Sequence, residues 1–202
     1  MITKLSRKNC LQLYPKLPWS IPYREMYVFP KVYKQYVLTL PSKTAKGHAK
    51  NIGIALQMLV TAMRYEKLIF LGDTTTPWLY RQNSYRPAQE AADYLTRHTI
   101  GKTFNGGLLV DTTRLPEFTK HLFWLVRSNI VLPVVYAMDE EQHIVINLCQ
   151  YGNLHICTLD KKTDSAFNKA LPITGLQFLD AVTCYEIFGK GGNIAGRKVL
   201  IG

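Results

Sequence analysis

The sequence predicts an α/β domain: a parallel, Rossmann-like sheet in a three-layer arrangement, preceded by an extended basic N-terminal arm and carrying a late β-hairpin. Three observations predict it. Helical patterns and apolar strand patterns alternate between residues 47 and 139, the order that favours a parallel sheet with helices on both faces. Further on, two alternating runs are separated by Tyr151-Gly152-Asn153, which reads as a hairpin. Positive charge is concentrated ahead of these elements. Residues 1–50 hold ten Lys/Arg against the single acid Glu25, whereas the other 152 residues hold fifteen basic and thirteen acidic side chains. The 202 residues suffice for one domain with a sizeable core and would crowd two. The chain therefore divides into an arm (1–46), an α/β body (47–190) and a glycine-rich tail (191–202).

In the arm, Pro15, Pro18, Pro22, Pro30 and Pro41 remove backbone donors and block a regular helix. Tyr14, Trp19, Tyr23, Tyr27, Phe29, Tyr33 and Tyr36 alternate with lysines. The expectation is an extended segment lying along another surface, the alternative an arm packed back on its own body. "YKQYVLTL" reads as a short strand. The first 24 residues lack acids, as a transit peptide does, but Pro15, Pro18 and Pro22 suit an amphipathic helix poorly.

The body opens with "GHAKNIGIALQMLVTAMRYE" (47–66), where Ile52, Leu56, Leu59, Val60 and Met63 recur at helical steps. "KLIFLGD" (67–73) is a buried strand ended by Gly72, with Asp73 where open α/β sheets place ligands. A loop over 74–87 leads to a helix starting at Pro87, with Ala88, Ala91, Ala92 and Leu95 on one face. A turn at Asn105-Gly106-Gly107 leads into another extended piece. "LPEFTKHLFWLVRS" reads as a helix, and the β-branched run 129–139 as a strand whose Pro133 suits an irregular or edge position. "TGLQFLDAVTCYEIFGK" reads as a last helix, with Gly189 near its C-cap.

No chemistry-bearing motif stands out. "FLGDTTTPW" lacks a GxGxxG or GxxxxGK[ST] sequel, and "GKGGN" has no strand before it. Phosphate binding by a dinucleotide fold thus lacks its glycine cradle, and no cofactor is expected. His143 and His155 lie on facing hairpin arms, but a phosphoesterase signature needs Ser or Thr two places after each His. Thr158 is displaced by one residue and falls on the opposite strand face from His155. GxSxG and HExxH are absent, and Asp139, Glu140 and Glu141 read as a solvated turn. Cys10, Cys149, Cys157 and Cys184 form no CxxC pair, so a zinc knuckle is not indicated. Cys149 and Cys157 read as buried free thiols, which suits a reducing compartment. No window holds eighteen uninterrupted apolar residues, so no membrane partner is expected.

A series of short matches appears in collinear order: "LIFLGD", "AQEAADYL", "FNGGLLVD", "RLPE", "LPVVYAMD" and "LPITG", spanning roughly residues 50–190. Together they resemble the small-subunit ribosomal protein S-two family in its bacterial and organellar form. The long helical hairpin of bacterial members is missing ahead of Arg114, as in mitochondrial members, and Thr103-Phe104 stands where the family has Arg-Trp. The resemblance implies a divergent mitochondrial member, with another organellar or a bacterial ribosome as the alternative. It implies a non-catalytic structural role between head and body of the subunit. The partners would be small-subunit ribosomal RNA and neighbouring ribosomal proteins, with no small-molecule substrate. On that reading Gly106 and Gly107 offer backbone amides to RNA phosphates, with Lys102 and Asn105 beside them. Arg81 and Arg86 add phosphate contacts, and Arg7, Lys8, Lys31 and Lys34 act as point charges. Tyr14, Trp19 and Tyr23 pack against RNA or a neighbouring protein. Two other readings stand beside this one: a small α/β enzyme (nucleotide-binding, or a phosphoesterase using His143 and His155), and a protein-interaction module whose basic arm grips an acidic partner.

Overall fold

The computed structural model describes residues 1–21, 27–74, 76–81, 83–128, 134–179 and 184–185. The elements, in chain order, begin with β1 (Ile2–Leu5), α1 (Arg7–Leu13), β2 (Trp19–Ser20), β3 (Tyr27–Val28), β4 (Lys34–Thr39) and α2 (Ala45–Ala62). They continue with β5 (Lys67–Leu71), α3 (Arg86–Arg97), β6 (Gly107–Asp111), α4 (Leu115–Arg127), β7 (Tyr136–Asp139), β8 (Ile144–Leu148), β9 (Leu154–Thr158), α5 (Lys161–Ala170) and β10 (Gln177–Phe178).

Eight strands form one sheet in the order β1-β6-β5-β7-β8-β9-β4-β10, and β2 pairs with β3 apart from it. Every pairing among the described residues is antiparallel. This corrects the expected parallel, Rossmann-like sheet. The reason lies in adjacency. Because neighbours alternate in direction, β4 and β5 run the same way, and so do β6 and β7. The crossovers through α2 and α4 therefore do join like-directed strands, as a β-α-β order implies. What the sequence does not reveal is that β5 lies between β6 and β7, and that three strands separate β4 from β5.

Helices α2, α3, α4 and α5 share one face of the sheet, where Leu38, Leu68, Phe70, Leu108, Val110, Ile146 and Ile156 point into the core. Thr44 caps α2, its Oγ1 accepting from the Gly47 amide at 3.1 Å. α4 packs between α2 and α3, so it is buried nearly all round, from Leu122 to Val126 without a break. Gly53 makes the α2–α4 approach possible: a Cβ there would lie 2.6 Å from the Pro116 carbonyl oxygen.

In their described part the leading 46 residues pack back on the body, the alternative to an arm extended along another surface. β1 pairs with β6 and β4 with β9. On the opposite face of the sheet, Cys10, Tyr14 and Leu17 pack on Ile69, Leu71, Met138, Val145 and Cys157. The prolines punctuate rather than prohibit: Pro15 and Pro18 follow α1, Pro30 precedes β4 and Pro41 follows it. The predicted hairpin is present as β8 and β9, in register from Ile144↔Thr158 to Leu148↔Leu154. Of the strand expected over 129–139, residues 129–133 lie outside the described residues, and Tyr136–Asp139 forms β7. The last helix expected from residue 174 is not found in its described part. There Gln177 and Phe178 pair with Thr39 and Leu38 as β10. Gly175, at φ +73°, turns the chain into this edge strand. The tail 191–202 lies outside the described residues.

Candidate functional site

The residues expected to touch RNA separate into two groups. Arg7, Asn105, Gly106 and Gly107 come together, but against the protein's own backbone. Arg7 Nη1 donates to the carbonyl oxygens of Gly72 (3.1 Å), Asp73 (2.8 Å) and Asn105 (3.2 Å), and Nη2 donates to Thr74 Oγ1 (3.0 Å). Asn105 Nδ2 donates to the Thr74 carbonyl, and Trp78 Nε1 to that of Gly106. Both glycines are buried. A Cβ on Gly106 would lie 2.1 Å from the Leu5 carbonyl oxygen, and one on Gly107 would lie 2.6 Å from Cys10 Sγ. The double glycine thus admits the N-terminal segment, not a phosphate. Burial lowers the Arg7 pKa, with Asp73 opposing.

The second group faces solvent. Lys8, Lys31, Lys34, Arg81, Arg86 and Lys102 are exposed. Arg81 and Lys102 line an open groove of 560 Å³ together with Asn83, Gln89 and Asp93. Arg86 Nε donates to Glu90 Oε1 at 2.9 Å, and Lys34 lies 3.8 Å from Asp164. Lys8, Lys16, Lys31, Lys43, Lys46 and Lys50 are exposed and form no ion pair with a described residue. Of the aromatics expected at a protein contact, Tyr14 is buried and Trp19 half-buried against the protein's own sheet. Tyr23 lies outside the described residues.

A third constellation was not legible as a site. Cys149, His155 and Cys184 bring a ligand atom each to within 4.8 Å of the others. Cys184 Sγ is 3.4 Å from Cys149 Sγ and 3.4 Å from His155 Nε2. Asn153, fully buried, donates from Nδ2 to Cys184 Sγ (2.9 Å) and to the Tyr185 carbonyl (3.0 Å). Hydrogen bonding from Cys149 pulls the Cys184 thiol down, helped by His155 and Asn153 and opposed by burial. The same bond and burial push Cys149 up.

The hairpin turn that carries this cluster is held by the helical layer. His48 Nε2 lies 2.8 Å from the Gly152 carbonyl oxygen, and Arg127 Nη1 donates to that of Gln150. Gly152 sits at φ +84°, and a Cβ there would meet Phe123 and His48 at 2.7–2.8 Å. Strand alternation then aims His155 away from the helices, because Leu154 and Ile156 point towards them. Sequence spacing could not show the cluster: Cys184 is 35 residues from Cys149, and that separation carries no ligand pattern.

His143 and His155 do not converge. His143 lies at the other end of the hairpin, where its Nδ1 is 3.4 Å from Glu141. Buried Asp139 closes that turn, accepting from the amides of Glu141, His143 and Ile144. Comparison with protein-family models, with curated proteins and with solved structures gives no match for this chain.

Proposed function

We propose that this protein is a non-catalytic RNA-binding constituent of a ribonucleoprotein particle. On the motif order given above, that particle is the small ribosomal subunit of mitochondria or of another organellar or bacterial ribosome. The sheet is antiparallel and not the parallel one the sequence pattern predicts, and the fold is not what carries the reading. What carries it is the unbalanced charge. Lys8, Lys16, Lys31, Lys43, Lys46 and Lys50 stand exposed with no acidic partner among the described residues. Lys46 and Lys50 share a face of α2 by their four-residue spacing. Exposed Tyr33 stands between Lys31 and Lys34 in the chain, a cation–aromatic mixture suited to stacking on unpaired bases.

Such a surface gains affinity for a polyanion by releasing its counterions. If these six lysines neutralise phosphates, log K for single-stranded RNA falls with log salt at a slope of about −4, by roughly 0.7 per phosphate. Replacing Lys43, Lys46 and Lys50 by Gln should remove about 2 from that slope. Filter binding of a small-subunit ribosomal RNA fragment across a salt series measures it. A flat salt response, or a slope untouched by the triple substitution, would refute the assignment. Tighter salt-sensitive binding to an acidic protein than to RNA would favour the interaction-module reading.

A further inference from the structure

We propose that Cys149, His155 and Cys184 form a binding site for one zinc-class divalent cation, with Asn153 orienting the Cys184 sulfur and a fourth position left open to water. The donor set is two thiols and an imidazole, the soft and borderline ligands that select zinc over magnesium or calcium. The spacing fits a tetrahedral ion. Zn–S bonds near 2.3 Å and Zn–N bonds near 2.05 Å give S···S edges of about 3.8 Å and S···N edges of about 3.6 Å. The observed separations, Cys149 to Cys184 and Cys184 to His155, are both 3.4 Å. These two edges need open by only a few tenths of an ångström, and the third, Cys149 to His155, lies within 4.8 Å. A disulfide would instead require the two sulfurs to close to about 2.05 Å, and all four cysteines are free.

The surroundings suit a ligand set. A metal-binding cysteine is commonly held by an outer hydrogen-bond donor, and Asn153 Nδ2 supplies one to Cys184 at 2.9 Å. Asn153 Oδ1 is buried and accepts from no described residue, which leaves it available to a donor such as a metal-bound water. On binding, each sulfur is held as a thiolate and any proton it carried goes to solvent, with no change of oxidation state. The ion would tie Cys184 to the hairpin turn.

The test uses the full chain, reduced, stripped with a chelator and titrated with Co²⁺ alone. We expect saturation at one equivalent, with thiolate-to-cobalt charge-transfer absorption and the intense visible bands of tetrahedral cobalt, displaced by Zn²⁺. Cys149→Ser, Cys184→Ser and His155→Ala should each lose saturable binding while circular dichroism shows the fold intact. Asn153→Ala should keep one equivalent but weaken affinity by about 10- to 100-fold. Cys157→Ala, outside the cluster, should match the parent chain. Absence of one-to-one binding in the parent, survival of binding in Cys184→Ser, or equal loss in Cys157→Ala overturns the proposal. So does a Cys149–Cys184 disulfide in the isolated protein whose reduced form takes up no cobalt.

Discussion

At the residue scale, the buried polar groups decide where this chain tolerates change. Gly106 and Gly107 look like an invitation to a ligand, yet the space a Cβ would need is already filled by the Leu5 backbone and Cys10. His48 is buried but satisfied, with Ser42 Oγ at 3.0 Å from one ring nitrogen and the Gly152 carbonyl on the other. His121 differs. It stacks on Tyr94 at 4.2 Å between α3 and α4, and its Nδ1 finds no partner among the described residues. Burial drives its pKa down to about 4; Lys120 and Arg97 push the same way, while Glu117 and Glu90 oppose. A folded-state pKa below the unfolded value contributes nothing above about pH 6.5 and destabilises progressively as the pH falls towards about 4. The unfolded chain takes a proton that the folded one refuses, at a cost of up to about 3 kcal/mol. We expect His121→Phe, which keeps a ring on Tyr94, to flatten this part of the acid dependence in urea titrations. An identical pH profile for parent and variant would show that His121 titrates normally.

At the scale of elements, what could be read from the sequence depended on how much of an element's stabilisation is local. α2, α3 and α4 were legible because their apolar residues recur at helical steps and buried Ala88, Ala91 and Leu95 mark one face. The hairpin was legible because alternation and a turn lie within fifteen residues, 144–158. α5 was not, because of its ten residues only Phe167 and Ala170 are buried and apolar; its inner face is completed by polar Thr163 and Asp164. Asp164 accepts there from Tyr36 Oη (2.6 Å) and Thr158 Oγ1 (3.1 Å), a polar docking with no periodic signature. Strand adjacency was equally hidden, since the pairing of β1 with β6 joins residues more than a hundred positions apart. The metal-type cluster shares that obstacle: its third member arrives from a distant segment.

The N-terminal segment is the largest departure, and it changes what mutation should do. If residues 1–46 were an arm along another surface, truncating Leu17 would leave the isolated protein's stability untouched. In the structure Leu17 is 1% exposed and packs beneath the sheet with Cys10 and Tyr14. Leu17→Ala should therefore cost about 2–5 kcal/mol, read as a lower urea midpoint for the free chain. A midpoint equal to that of the parent would restore the detached arm.

At the scale of the whole molecule, one chain segment carries two duties. Its apolar side chains close the second face of the sheet, and its lysines remain outside with few acids to balance them. Cationic surface is thus mounted on a folded body, not on a loose tail. The ten basic residues of positions 1–50 against one acid are what support the proposed RNA partner. The most direct measurement of that claim is sedimentation of the native protein from a cell lysate through a sucrose gradient at low and high salt. The account predicts that it travels with small ribosomal subunits at low salt and is released, or is reduced on the particle, by ribonuclease and high salt. Recovery wholly at the top of the gradient, unbound to any ribonucleoprotein particle at low salt, would contradict it.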